Sequence, residues 1–284
     1  MATPGNPDPP PIVNPPDPPP LIPTWKSNKP RSYLLFVVCL ALLALMGQAA
    51  LKLTPGLNFA VAAFLLAGVV LLFGQWSCRR PLGALIEYRN LMSLARFQCI
   101  LWTIIVLAGF LAMVAMRLRF PEAGPSAMDI TIPPELWALM GISTASLVGA
   151  PMILQNKIDK TPTDDAMQKA SETLDKSSAS AIADVNSMGT LYRNASLDEA
   201  RITDMLQGDE ISNIAYLDMA KVQMLLFTIV GALVYCGALY NALAVHSTDT
   251  LATMPALSQG MVTLLGISHA GYLTSKTVDR TPTT

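Results

Sequence analysis

The chain has 284 residues, of which 52% are hydrophobic and 14% charged, and its net charge is −1. Soluble proteins carry about 25% charged residues, so this composition excludes an ordinary soluble domain and, with it, most soluble enzymes. The balance of 19 basic against 20 acidic residues provides no positive field for nucleic acid. We therefore expect an integral membrane protein that does not bind nucleic acid and is in contact with membrane lipids.

Residues 1–32 predict a proline-rich, disordered tail. Residues 1–24 contain 11 prolines, and the sequence N-P-D-P-P-P at 6–11 returns with one insertion at 14–20. Such a segment favours polyproline II and cannot build a core. It could dock in an aromatic groove of a partner. We favour a solvated tail without such a ligand role, because no arginine flanks the prolines.

Six apolar stretches are long enough to cross a bilayer, which takes roughly 20 residues. They contain no Asp, Glu, Lys or Arg, and they pair into three hairpins, so they predict an all-α transmembrane fold. The stretches are 33–51, 57–75, 98–116, 136–154, 222–245 and 257–273. The chain is thereby divided into the tail, a first hairpin (33–75), a basic loop (76–97), a second hairpin (98–154), a linker (155–221), a third hairpin (222–273) and a short end (274–284).

The distribution of positive charge predicts the orientation of these spans. Sixteen of the 19 basic residues lie in the tail, the 76–97 loop, the 155–221 linker and the 274–284 end. Cytoplasmic segments retain Lys and Arg, so both termini are predicted to be cytoplasmic.

The second and third hairpins contain similar sequences, which predicts an internal repeat. Two segment pairs share an offset of 125 residues. A D-K/R-T-P-T motif also follows each hairpin, at an offset that is five residues shorter. The pairs are 95–104 with 220–229, 139–145 with 264–270, and 159–163 with 279–283. Because both hairpins enter from the same side, the repeat would be parallel, about an axis along the membrane normal.

These repeated sequences also support a resemblance. Three signatures resemble segments of uncharacterised bacterial polytopic membrane proteins: A-R-F-Q-x-x-x-W-T, G-D-E…D-M-A-K-V-Q-M-x-x-F-T and L-L-G-I-S-H-A-G-Y-L. The resemblance covers residues 91–155 and 198–280. It implies a bacterial inner-membrane setting, but no activity, ligand or catalytic residue.

Small residues spaced four apart predict close helix packing in both repeated hairpins. These positions are Gly141, Ala145, Gly149, Gly266 and Ala270. The alternative is a substrate path beside the neighbouring Ser143 and Ser268. We favour packing, since this spacing is common in membrane helices.

Few polar side chains lie within the spans. Gln98 and Gln223 are predicted near the cytoplasmic headgroups, and Trp102 one turn deeper at the interface. His269, beside Ser268, is the one readily titratable side chain inside a span apart from the thiols, and such groups are candidates for function. The favoured alternative for His269 is a neutral imidazole that hydrogen-bonds within the bundle.

The 155–221 linker holds 12 acidic and 7 basic residues and is predicted to be partly helical. Thr163 can cap one helix, and a capping-box spacing predicts another over 196–208. The serine-rich 177–187 segment is predicted to be flexible, and the apolar residues of 211–217 to be partly docked. The linker is either a partner-binding element or a plain tether, and the sequence leaves both open.

Motifs for known chemistry are missing from the sequence. It contains no P-loop, no G-x-S-x-G, no H-E-x-x-H and no acidic metal cluster, and its four cysteines lack C-x-x-C spacing. We therefore expect no catalytic site, cofactor or metal. The predicted role is a non-enzymatic scaffold or anchor that presents tail and linker to cytoplasmic protein partners and can form a homo-oligomer. The alternative is a passive transporter or pore with a site between the two hairpin repeats.

Overall fold

A computed structural model describes residues 37–42, 44–45, 47–48, 52–119, 128–174, 186–245 and 251–284. This part of the chain is mostly helical, as predicted. Four of its helices are long and apolar enough to cross a membrane. They are α1 (Pro55–Cys78), α2 (Leu94–Arg119), α3 (Pro134–Gln155) and α5 (Met219–Val245), while α4 (Asp164–Leu174) and α6 (Gln259–Thr277) are shorter.

The six predicted spans correspond unequally to these helices. The first, 33–51, is helical at 37–42, 44–45 and 47–48, and its other residues lie outside the described part, as does the proline-rich tail. The sixth is helix α6, which has 19 residues and includes serine, threonine and histidine. Most helices extend beyond their apolar stretch, because the flanking interfacial residues also favour helix. Pro134, for instance, occupies the first turn of α3, where its missing N–H costs nothing.

Helices α2, α3, α5 and α6 pack around one apolar core. The predicted interfacial position of Trp102 is wrong, since its side chain is fully buried. Its ring meets Tyr235 edge to face, with centroids 6.3 Å apart. Gly231 faces the indole, since a Cβ there would lie 3.6 Å from the Trp102 ring, an ordinary van der Waals distance. Large side chains thus fill the space between the helix pairs α2–α3 and α5–α6.

At one end of the bundle the chain folds into a compact layer, which we call the cap. The cap comprises residues 79–93, 156–174, 186–218 and 278–284. It contains a 3-10 helix (Pro81–Leu85), helix α4, the paired strands β1 (Ser187–Met188) and β2 (Leu191–Tyr192), and two more 3-10 turns (Leu197–Glu199 and Ile202–Met205). The described residues of the linker therefore form a folded layer over the helix ends, not a loose connection.

Local structure within the linker agrees with the sequence in one place and departs from it in another. Helix α4 starts where predicted, and the Thr163 hydroxyl accepts a hydrogen bond from the Ala166 N–H. The helix predicted over 196–208 is wrong, since Ala200 and Arg201 have extended backbone ψ values. Asp204 instead accepts the Arg201 N–H at 2.8 Å, which favours a short turn. Most of the segment predicted to be flexible, 175–185, lies outside the described residues.

The two D-K/R-T-P-T motifs pair with each other across the cap. The Thr163 N–H donates to the Pro282 carbonyl at 3.0 Å, and the Thr284 N–H donates to the Thr161 carbonyl at 3.1 Å. Lys160 and Asp279 also form an ion pair. The segment that follows α3 is thereby joined directly to the segment that follows α6.

The turn between β1 and β2 provides a test of the cap. Gly189 has φ +60, and a Cβ there would lie 2.2 Å from the Ile158 carbonyl oxygen. We expect Gly189→Ala to lower the free energy of unfolding by about 2 kcal/mol or more, because a left-handed backbone and a backbone clash are combined. Thermal unfolding of the detergent-purified protein measures this.

The matched control is Gly237→Ala in α5, where a Cβ meets nothing within 4 Å. This change should be neutral or slightly stabilising, since alanine favours helix more than glycine does. Equal melting midpoints for the two variants would contradict the described turn.

Candidate functional site

The most elaborate polar site in the described residues is a buried group of charges centred on Asp209. We call it the Asp209 cluster; its members are Asp209, Glu87, Arg89, Lys221 and Lys276. The Asp209 carboxylate accepts hydrogen bonds from Arg89 Nη2 at 2.8 Å and from Lys221 Nζ at 3.1 Å, and it forms a third ion pair with Lys276. All five side chains are at most 10% exposed.

Each cation of the Asp209 cluster comes from a different part of the fold. Arg89 lies in the turn between α1 and α2, and the left-handed backbone of Asn90 makes that turn possible. Lys221 lies in the first turn of α5, and Lys276 in the last turn of α6. One linker carboxylate therefore holds a loop and the ends of two bundle helices.

Neighbouring charges favour the ionised forms of Asp209 and Arg89 within the Asp209 cluster. Burial alone would raise the pKa of Asp209, but Lys221, Lys276 and Arg89 hold it well below its usual range. Burial would likewise lower the pKa of Arg89, yet the neighbouring Glu87 and Asp209 raise it above its ordinary value. An isolated charge in such a place would be very costly, so the ions stabilise the fold only as a set.

The Asp209 cluster borders a small cavity of about 10 Å³, which Asp204 also lines. This volume is close to that of one water molecule and far below that of an organic substrate. Counting Asp204, three carboxylates balance the three cations around it. The cavity is small and the charges around it are paired, so the geometry suits a structural role better than a reaction centre.

A second buried ion pair lies next to the first. The Glu210 carboxylate accepts a hydrogen bond from Lys157 Nζ at 2.6 Å, and further ones from the Arg280 and Thr281 N–H groups at 3.0 and 2.8 Å. Lys157 follows α3, and the two backbone donors follow α6. The adjacent acids Asp209 and Glu210 thus connect the linker to α3, α5 and α6.

The two glutamines predicted at the interface occupy different environments. Gln98 is fully buried, and its amide donates to the Met224 carbonyl at 3.2 Å and to the Thr228 hydroxyl at 2.6 Å. It therefore links α2 to α5 inside the bundle. Gln223 is exposed on the outer side of α5.

The structure places His269 against a residue that the sequence analysis did not single out. His269 Nδ1 and Ser146 Oγ are 2.7 Å apart and share a hydrogen bond between α6 and α3. Ser143 and Ser268 are buried on the same two helices. Within the described part of the chain, their hydroxyls and the His269 Nε2 have no hydrogen-bond partner.

The small residues differ in what they contact. A Cβ on Gly149 would lie 3.4 Å from a Leu273 methyl group, and one on Gly266 would lie 3.6 Å from an Ile142 methyl group. These two glycines therefore lie at the α3–α6 contact. By contrast, Gly141, Ala145 and Ala270 are exposed on the surface of the single chain.

No family model, curated protein or solved structure matches this chain. In the described residues, no group of three or more His, Cys, Asp or Glu side chains is placed to hold a metal ion. The interpretation of the site therefore depends on its own geometry.

Sequence reasoning missed the Asp209 cluster almost entirely. It treated the linker acids as a net charge and the basic residues as markers of orientation. The usable signal was the G-D-E sequence at 208–210 together with Lys221 and Lys276, which are the charged residues nearest to two predicted spans. The sequence alone does not show which acid pairs with which base.

The Asp209 cluster predicts a large and specific loss of stability. Asp209→Asn leaves three buried cations without their shared carboxylate, so we expect a loss of about 3–5 kcal/mol. Thermal unfolding and limited proteolysis of the cap measure this. Asp165→Asn is the matched control, because its ion pair with Lys169 is about 70% exposed and ion pairs in water add little stability. Similar losses in both variants would contradict the proposed importance of the cluster.

The low pKa of Asp209 predicts how this contribution depends on pH. A carboxylate with a depressed pKa stabilises the fold above its unfolded pKa of about 3.9, and the effect is lost as the pH falls through the folded pKa. The stability difference between wild type and Asp209→Asn should therefore stay constant from about pH 8 to 5 and shrink only below about pH 4. A difference that already shrinks near neutral pH would contradict the ionised cluster.

Proposed function

We propose that this protein is a non-enzymatic scaffold or anchor of a bacterial inner membrane, which presents its cap and proline-rich tail to cytoplasmic protein partners. The observation that carries this proposal is the attachment of the linker through Asp209 and Glu210 to the ends of the bundle helices. A plain tether needs no buried ion pairs, whereas a platform for partners needs such pairs to keep a fixed shape.

The outer surface of the cap supports a docking role. A groove of about 470 Å³ runs between α4 and residues 211–216. Tyr216 borders it with 63% of its surface exposed, and Ile202 elsewhere on the cap is 65% exposed. Exposed aromatic and aliphatic side chains on a rigid surface are typical of protein interaction sites.

The proposal includes six spans with both termini in the cytoplasm. The excess of Lys and Arg on one side supports this orientation. All described bundle helices have one end at the cap, which holds most of the described basic residues. Helix α6 would be the sixth span, with its polar side chains covered by packing against α3 and α5, and residues 33–51 the first.

We also propose that the two hairpins are a parallel repeat. Helices α2 and α5 begin 125 residues apart, at Leu94 and Met219, and α3 and α6 do the same at Pro134 and Gln259. The motifs that follow the hairpins pair with each other. The exposed positions Gly141, Ala145 and Ala270 would then serve contact with a second copy in a homo-oligomer.

The alternative function is a passive transporter or pore between the hairpins. The observation in its favour is the buried polar group of Ser143, Ser268 and His269, whose polar atoms include several without a partner among the described residues. The observation against it is the filled core, in which Trp102 and Tyr235 are fully buried between the hairpins. We therefore favour the scaffold.

Site-specific cross-linking in living cells tests the scaffold. A photoreactive residue in place of Tyr216, which is exposed on the cap, should capture a discrete cytoplasmic protein. The same residue in place of Met128, which is 72% exposed at the opposite end of the bundle, should not. Asp209→Asn should reduce the Tyr216 product severalfold, because it loosens the platform while the apolar spans still insert.

Vesicle flux distinguishes the alternative. Purified protein in sealed vesicles should conduct no solute, and His269→Ala should leave the background leak unchanged. Solute flux that depends on His269, together with no cross-linked partner at Tyr216, would reject the scaffold in favour of the transporter.

A further inference from the structure

A groove between α2 and α3 lies where the bundle meets the cap, and its walls change character along its length. It has a volume of about 350 Å³. Its upper part is polar and includes Glu87, Tyr88, Ser93 and Arg96, whereas its lower part is apolar. The apolar lining residues are Cys99, Ile100, Leu147, Ala150 and Pro151. The polar part borders the cap, and the apolar part continues along the membrane-spanning surface.

Arg96 is the cation of this groove, and the protein uses little of its hydrogen-bonding capacity. Its guanidinium is half-buried and donates one bond, from Nη1 to the Ala84 carbonyl, at the long distance of 3.5 Å. A guanidinium has five N–H donors in a fork that fits a phosphate or a carboxylate. Among the described residues, no carboxylate forms an ion pair with Arg96.

The position related to Arg96 by the 125-residue offset gives a contrast within the same chain. Lys221 is buried and neutralised by Asp209 at 3.1 Å, so its charge serves the cap. Arg96 keeps its charge available at the start of α2. An anion from outside the chain can therefore neutralise Arg96, as the Asp209 carboxylate neutralises Lys221.

We propose that this groove binds a membrane phospholipid, with the phosphate on Arg96 and one acyl chain along Ile100, Leu147 and Pro151. A lipid is the molecule that joins an anionic phosphate to an apolar chain in this direction, from the cap boundary into the membrane. Basic pockets between membrane helices on the cytoplasmic side bind lipid headgroups in this way. The small side chains of Ala95 and Ala150 keep the groove open.

This inference uses the membrane setting of the proposed function but not the scaffold role. If the lipid site were disproved, cross-linking at Tyr216 would still test the scaffold role. The two proposals can therefore fail independently.

Native mass spectrometry of the purified full chain, titrated with phosphatidylglycerol, tests the proposal. We expect Arg96→Gln to reduce the lipid-bound fraction at least fivefold and Arg96→Lys to retain an intermediate fraction. Arg79→Gln is the matched control, since Arg79 is an exposed cation on the same side of the bundle and lies outside the groove. Equal losses from Arg79→Gln and Arg96→Gln would mean general charge attraction and would overturn the site.

A second variant tests the apolar half without touching the charge. Cys99→Phe places a ring in the groove and should also reduce lipid binding, while its melting midpoint stays near that of the wild type. A folded Cys99→Phe protein that binds lipid normally would overturn the proposed path of the chain. Displacement of the lipid by millimolar inorganic phosphate or glycerophosphate would overturn it as well, because the site would then recognise a free anion.

Discussion

The structure depends on one buried carboxylate. Asp209 lies beyond the membrane spans, yet it neutralises cations from the α1–α2 turn, from the start of α5 and from the end of α6. Each of those cations would be strongly unfavourable there without it, and so would the carboxylate without them. Folding of the linker and close approach of the helix ends are therefore one event. This mutual dependence makes the cap a part of the bundle.

The bundle and the cap are each stabilised by different kinds of interaction. In the membrane the core is apolar, and helices are joined by packing such as Trp102 on Tyr235 and by single polar bonds such as that of Gln98. In the cap, buried ion pairs and backbone hydrogen bonds act together with small apolar clusters such as that of Ala170 and Ile211. The lipid groove that we propose lies at the boundary between the bundle and the cap, where Arg96 forms no ion pair with a carboxylate among the described residues.

The sequence predicted what depends on local or compositional patterns. Apolar stretches gave the four long helices, and Thr163 gave the start of α4. It could not predict the Asp209 cluster, because Arg89 and Asp209 are 120 residues apart in sequence. Composition alone does not show which of the linker acids pairs with Arg89. Trp102 was placed wrongly for a related reason. An aromatic near a span end suits the interface, and only the folded bundle shows that Tyr235 covers it.

The pairing of residues 161–163 with residues 282–284 has a consequence for movement within the bundle. Glu210 accepts hydrogen bonds from the N–H groups of Arg280 and Thr281, and Thr161 accepts one from Thr284. These bonds join the segments that follow α3 and α6. The two helices can separate at the cap only if the bonds break, so sliding of α3 against α6 is most restricted at this end of the bundle.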